Sequence, residues 1–172
     1  TPTAADRHLK AIYDAEWAWR QKEFAQISDG LRSESDDHFP AVSPADWVRR
    51  RAYWQNVLTR IAAIPVANLS PEERLNAAVL TESLRAEVAN IDFRTYEAPL
   101  NSDSYFWGEV KPYSALESAD DYRRYVGRLR DVPRWFDGNI ANMRAGFARG
   151  FTPPRVTLAG CLLYTSPRPR DV

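Results

Sequence analysis

The sequence predicts an all-α fold, an antiparallel helical bundle, on three observations. Apolar side chains recur at three- and four-residue steps over most of the chain, which puts them on one face of a helix. A hydroxyl residue followed three positions later by an acid recurs at Thr3, Ser43, Ser70 and Ser118, the pattern that satisfies the unpaired N–H groups of a helix start. No run of alternating apolar and polar residues marks a strand.

The first helix is predicted over residues 3–27, with Leu9, Ile12, Tyr13, Trp17, Arg20, Phe24 and Ile27 on one stripe and Ser28-Asp29-Gly30 as its stop. Residues 31–42, including Ser33-Glu34-Ser35-Asp36-Asp37-His38, read as an acidic loop. Ser43-Pro44-Ala45-Asp46 opens a second helix with a capping Ser, Pro at the first helical position and an acid at the third. Trp47, Trp54, Val57, Leu58, Ile61 and Ile64 are its predicted inner stripe, and Pro65 ends it.

Ser70-Pro71-Glu72-Glu73 repeats that start, Glu73 being placed to complete a capping box. Leu75, Val79, Leu84, Val88 and Ile91 are expected to face inward as far as residue 92. Residues 93–117 carry Pro99, Gly108 and Pro112 without periodicity, and loops of that length are uncommon unless they have a task. Ser118-Ala119-Asp120-Asp121 caps a fourth helix with Tyr122, Tyr125, Val126 and Leu129 inward. Pro133 is expected to start a fifth, with Phe136, Ile140, Met143 and Phe147 on one side and Gly150 as its stop. Thr152-Pro153-Pro154 opens a sixth, and the short links make successive helices antiparallel neighbours.

Composition excludes several functions. The 172 residues carry 23 Lys plus Arg against 23 Asp plus Glu, so no clustered excess of positive charge draws the chain to nucleic acid or anionic lipid. No apolar run approaches the roughly 20 residues that span a bilayer, so no membrane-spanning segment is expected. A single Cys rules out an internal disulfide framework and a Cys-based zinc ribbon.

The chemistry-bearing residue types are sparse. His8 and His38, the only histidines, fall on different predicted elements, unlike the paired histidines of a zinc helix. Ser43, Ser70 and Ser118 are accounted for as caps, and no Gly-x-Ser-x-Gly elbow is present. Arg49-Arg50-Arg51 lies on a helix, points three ways and is expected to be a solvated face. No catalytic and no metal-ligating residue is therefore assigned. The one candidate binding strip is Asn101, Ser102, Asp103, Ser104, Tyr105 and Trp107, where hydrogen-bonding side chains adjoin aromatic ones outside any helix, as in a pocket wall. The alternative is a loop that anchors itself on the core.

The order of motifs resembles the N-terminal part of the bacterial "domain of unknown function 885" proteins. The stretches that carry the resemblance are Tyr13-Asp14-Ala15-Glu16-Trp17-Ala18-Trp19-Arg20, Phe39-Pro40-Ala41-Val42-Ser43-Pro44, Leu69-Ser70-Pro71-Glu72-Glu73-Arg74-Leu75-Asn76, Pro99-Leu100-Asn101-Ser102-Asp103-Ser104, and Asp121-Tyr122 on to Leu129. The most specific is Asn139-Ile140-Ala141-Asn142-Met143-Arg144-Ala145-Gly146 with Gly150-Phe151-Thr152-Pro153-Pro154-Arg155-Val156. The resemblance implies a longer, mostly helical parent of the gluzincin type, a zinc-dependent peptidase or hydrolase. Its metal site would lie on a later helix with a His-Glu pair followed by Pro-Gly-His, where the histidines would hold zinc and the Glu would activate a metal-bound water.

On that view residues 1–160 are the helical N-terminal region of the larger domain. They form a wall or lid of a cleft for a peptide-like substrate, pack against the remainder of the same chain, hold no cofactor and are inactive alone. Cys161-Leu162-Leu163-Tyr164-Thr165-Ser166-Pro167-Arg168-Pro169-Arg170-Asp171, within residues 161–172, looks like the conceptual translation of a transposon-end sequencing adapter and is set aside from fold reasoning. Thr1 is not Met and relatives are often exported, so a periplasmic or secreted location is expected, with a cytoplasmic one as the alternative. The competing expectation for function is a non-enzymatic helical binding or scaffold module.

Overall fold

The computed structural model describes residues 2–24, 37–100, 106–110, 112 and 115–158. The fold is an all-α helical bundle made of α1 (Ala4–Glu23), α2 (Pro44–Ala62), α3 (Pro71–Asp92), α4 (Ala119–Ala148) and the short α5 (Arg155–Leu158). Three single 3-10 turns join them, at Val66–Asn68, Thr95–Glu97 and Phe106–Val110, and the described residues contain no strand.

Three of the four predicted caps form complete capping boxes: Thr3 with Asp6, Ser43 with Asp46, and Ser118 with Asp121. The fourth differs. The Ser70 hydroxyl accepts the Glu73 N–H, but the Ser70 N–H donates 2.9 Å across to Asp6 Oδ1 on α1, so Glu73 is not needed to close the box. α1 ends at Glu23 rather than running to residue 27, and the predicted stop at residues 28–30 lies outside the described residues.

Helices α1 to α3 run up, down and up. Glu23 at the end of α1 pairs with Arg49 at the start of α2, and Arg51 reaches Asp92 at the end of α3. Between these helices lies the apolar core of Leu9, Ile12, Trp54, Val57, Ile61, Ile64, Leu69, Leu84 and Ile91. Parts of the predicted stripes fall elsewhere. Trp17 is 48% exposed, as are most of Leu75 and Val79, while Glu16 is buried and accepts the Trp54 Nε1–H at 3.0 Å. A charged residue takes the inner position because it meets a buried donor and the guanidinium of Arg20 there.

The Arg49-Arg50-Arg51 run is not a solvated face. Arg50 is 0% exposed, donates to Glu23 Oε1 (2.8 Å) and the Ala41 carbonyl (2.6 Å), and stacks between Phe24 and Trp47. Burial lowers its proton affinity, yet the adjacent Glu23 carboxylate holds the charge in place.

The two helices expected on either side of Pro133 are one helix of 30 residues with the proline inside it. A proline there leaves the Leu129 carbonyl without its helical donor. The residues flanking it grip a distant backbone instead: Phe39 N–H donates to Asp131 Oδ2 (2.8 Å) and Arg134 donates to the Phe39 carbonyl (2.7 Å). The Phe39 ring stacks on Trp135 at 4.1 Å, with Arg128 over its other face.

The inner face of α4 is also not the predicted one. Asp121, Arg128, Trp135, Asn139, Asn142 and Gly146 are buried, whereas Tyr122, Val126, Leu129 and Phe147 are exposed. Polar anchors decide this: Asn142 donates to the Val42 carbonyl at 2.7 Å, and Arg149 pairs with the buried Glu97. Gly146 lets the backbones meet, since a Cβ there would stand 2.7 Å from the Glu97 carbonyl oxygen and 2.9 Å from that of Phe151. The apolar core of α1 to α3 contains no residue of α4.

Candidate functional site

Of the predicted binding strip, Asn101, Ser102, Asp103, Ser104 and Tyr105 lie outside the described residues. Trp107 sits half-buried in the 3-10 turn Phe106–Val110, edge-on to Phe106 at 5.2 Å. Phe106 in turn meets Trp135 (5.2 Å) and Phe136 (5.0 Å) edge-to-face, so it fastens this loop to α4.

A groove opens along the C-terminal half of α4. It encloses about 650 Å³, the size of a small-molecule or peptide side-chain site, between Leu100, Ile140, Met143, Phe147, Phe151 and Pro153. Arg144 and Arg155 stand on its rim, along with Glu97, which is engaged by Arg149. The periodicity predicts Ile140, Met143 and Phe147 on one side of a helix, and that side lines the groove. The signal for the groove was the spacing of Asn139, Asn142 and Gly146, which marks a second face able to accept backbone contacts.

A smaller cavity of about 250 Å³ lies between α2, α3 and α4, lined by Trp47, Asn90, Tyr96, Asn139 and Asn142. The Trp47 indole N–H has no acceptor among the described residues. Tyr96 stacks on Trp47 at 5.3 Å and closes one side.

The acids with displaced pKa values hold structure together. Backbone N–H groups of Ser70 and then Thr3 keep Asp6 below the usual carboxylate range. Burial pushes Glu23 and Asp131 up, but hydrogen bonds from Arg49 and Arg50 to the first, and from Arg134 and the Phe39 N–H to the second, bring both down on balance. His8 is exposed on α1, and His38 Nδ1 lies 2.7 Å from Asp37 Oδ1 at the surface. Among the described residues no three His, Cys, Asp or Glu side chains come together in a way that would hold a metal ion, and no helix is long and apolar enough to cross a membrane.

These features define an all-α helical scaffold with an open apolar groove. The chain belongs to the bacterial protein family of unknown function DUF885, whose profile matches residues 25–166. The match begins beyond α1 and takes in α2, α3, α4 and the groove. No curated protein and no solved structure matches the chain.

Proposed function

We propose that this chain forms one wall of the substrate cleft in a longer zinc-dependent, peptidase-like hydrolase, exported to the periplasm. What supports the reading is the open apolar side of α4: Ile140, Met143 and Phe147 line a groove together with Leu100 and Phe151, instead of closing on the core. That arrangement suits a surface meant to face something else, here a peptide-like substrate whose apolar side chains enter the groove, with Trp107 as a further contact. The described residues do not fit a zinc site, because no three of their His, Cys, Asp or Glu side chains come together and the one carboxylate–imidazole pair, Asp37 with His38, stands without a third ligand. No step of metal chemistry is assigned to them. Their contribution is to bind and orient the substrate.

The test is peptide hydrolysis by a longer family protein that contains these residues. Activity that disappears on chelation and on replacing a His-Glu pair elsewhere in that protein is expected, and Trp107→Ala should raise KM with kcat little changed. A longer protein that is inert across a broad peptide library and binds no zinc sinks the proposal.

One observation favours a second reading, a non-enzymatic helical module. The apolar core is complete within α1 to α3. A single sharp thermal transition of the 172-residue chain without uptake of hydrophobic dye supports that module, whereas dye binding and aggregation support a wall with its covering missing.

A further inference from the structure

Two asparagines on α4 carry amide oxygens that the fold leaves unused. Asn139 and Asn142 are 5% and 3% exposed, and both line the cavity of about 250 Å³ beside Trp47 and Tyr96. Each spends its amide nitrogen on a backbone carbonyl: Asn139 donates to Trp135 at 2.9 Å and Asn142 to Val42 at 2.7 Å. A carbonyl can meet only the nitrogen end of an amide, so both side-chain orientations are fixed. Neither Oδ1 accepts a hydrogen bond from a described residue, yet neither is sealed off by packing, and the open space that both side chains border is this cavity. Buried acceptors without donors are rare, because the water they give up is not replaced. The Asn139 nitrogen bonds only its own helix, so packing alone would be served better there by an apolar side chain.

The other groups around the cavity favour a ligand that donates hydrogen bonds and is positive. No cationic side chain lines it, whereas Glu87 does. Arg20 lies 3.3 Å from Glu87 but 2.8 Å from Glu16, so two carboxylates share one guanidinium and one negative charge is left over. Arg50, against the Trp47 ring, is paired with Glu23. The Thr95 hydroxyl donates to the Asn90 carbonyl and has only lone pairs left to offer. The Trp47 N–H is enclosed by its neighbours and does not reach the open volume. Asn90 and Tyr96 can serve as donor or acceptor, so neither opposes such a ligand.

We propose that this cavity binds a small alkylammonium group. An ammonium has three donors and no acceptor, the complement of a lining whose unused groups are acceptors. Asn139 Oδ1 and Asn142 Oδ1 accept two of its N–H bonds, and Glu87 supplies the opposite charge. At about 250 Å³ the cavity is smaller than the roughly 300–1,000 Å³ of most ligand sites, which suits an ammonium with about four carbons lying against Ile91 and Pro99. A free amine and a lysine side chain present this same chemistry. An alcohol brings one O–H and no charge, and a carboxylate would face two amide oxygens and Glu87. The larger groove is built from other residues, so this site does not depend on the cleft-wall reading.

The experiment follows the side-chain amide signals of Asn139 and Asn142 by NMR in the isotope-labelled 172-residue chain at neutral pH. Added n-butylammonium should shift them saturably with a midpoint of about 1–10 mM, in the range of fragment-sized ligands. The same carbon chain as n-butanol or n-butyrate should act at least about tenfold more weakly. Asn139→Ala removes one acceptor without touching the bond from Asn142 that fastens α4 to Val42, and should weaken binding about tenfold, read at Asn142. Glu87→Gln should weaken it about three- to fivefold, and less at high salt. Circular dichroism of both variants should match the parent chain. Nα-acetyl-lysine amide shifting the same signals assigns the site to a lysine side chain, and a response to butylammonium alone assigns it to a free amine. Signals that stay still, that move equally with butanol or butyrate, or that respond in either variant as in the parent chain overturn the proposal and leave the cavity to water.

Discussion

Asp6 on α1 accepts the backbone N–H of Ser70 at the head of α3 at 2.9 Å while accepting that of Thr3 at 2.8 Å. One carboxylate thus closes the starts of two helices that are 64 residues apart in sequence. Its affinity for a proton is lowered by those N–H groups, so the folded state binds a proton less readily than the unfolded chain. The stabilisation it supplies is fully present above the unfolded value near pH 4 and is lost as pH falls through the lower folded value. Asp6→Asn should lower the urea midpoint at neutral pH, and the difference from the parent chain should shrink toward pH ~3. A gap that stays constant with pH would assign the loss to geometry instead of charge.

Among the described residues Arg50 is the only cation buried completely, and Glu23 is its ion-pair partner on α1. Arg50→Ala removes one of the two guanidinium groups that meet Glu23, together with two ring contacts, and should cost about 2–3 kcal/mol. Arg50→Met fills the space between Phe24 and Trp47 and should recover part of the loss, whereas adding Glu23→Gln should undo that gain because it also breaks the Glu23 pair with Arg49. Guanidinium unfolding of the three variants checks this.

Pro133 occupies the interior of α4 with its ring exposed. Proline costs about 3 kcal/mol relative to alanine within a helix, and the Phe39 grip lies on its neighbours Asp131 and Arg134, not on the ring. Pro133→Ala should therefore raise stability by about 1–3 kcal/mol. A drop in the denaturation midpoint would mean that the missing Leu129 bond is what lets both neighbours reach Phe39.

Gly146→Ala puts two opposing effects in competition. Alanine improves helix propensity by about 1 kcal/mol, but its Cβ would press on two backbone carbonyl oxygens at 2.7 and 2.9 Å, which yield less readily than a flexible side chain. The clash should win, with a net loss of about 1–2 kcal/mol and a change in Trp fluorescence as α4 shifts on the Thr95–Glu97 turn. Unchanged stability would show that the turn gives way freely.

Helix existence and starts were legible because they depend on local chemistry: Thr3, Ser43, Ser70 and Ser118 all cap as their spacing indicates. The all-α class follows from the same signals. Facing was less legible. The periodicity of α4 reports where its apolar residues lie, but not that Asn142 and Arg134 would hold the opposite side to residues nearly a hundred positions away. Pro133 reads as a boundary because local propensity knows nothing of the Phe39 clamp. Arg50 reads as solvated because its match with Glu23, Ala41 and two rings exists only after α1 and α2 have paired. The groove was not legible, since a shared side for Ile140, Met143 and Phe147 does not tell whether that side closes on the core or stays open.

The way α4 is fastened has a consequence for how the molecule comes apart. Helices α1 to α3 share a continuous apolar core, whereas the described residues fasten α4 chiefly through Phe39, Val42, Glu97 and Phe106, by hydrogen bonds, an ion pair and aromatic contacts. Local opening follows the weakest set of contacts. The amide protons of α4 should exchange with solvent well before those of α3, so that the molecule breathes by lifting its longest helix from a three-helix body that stays closed.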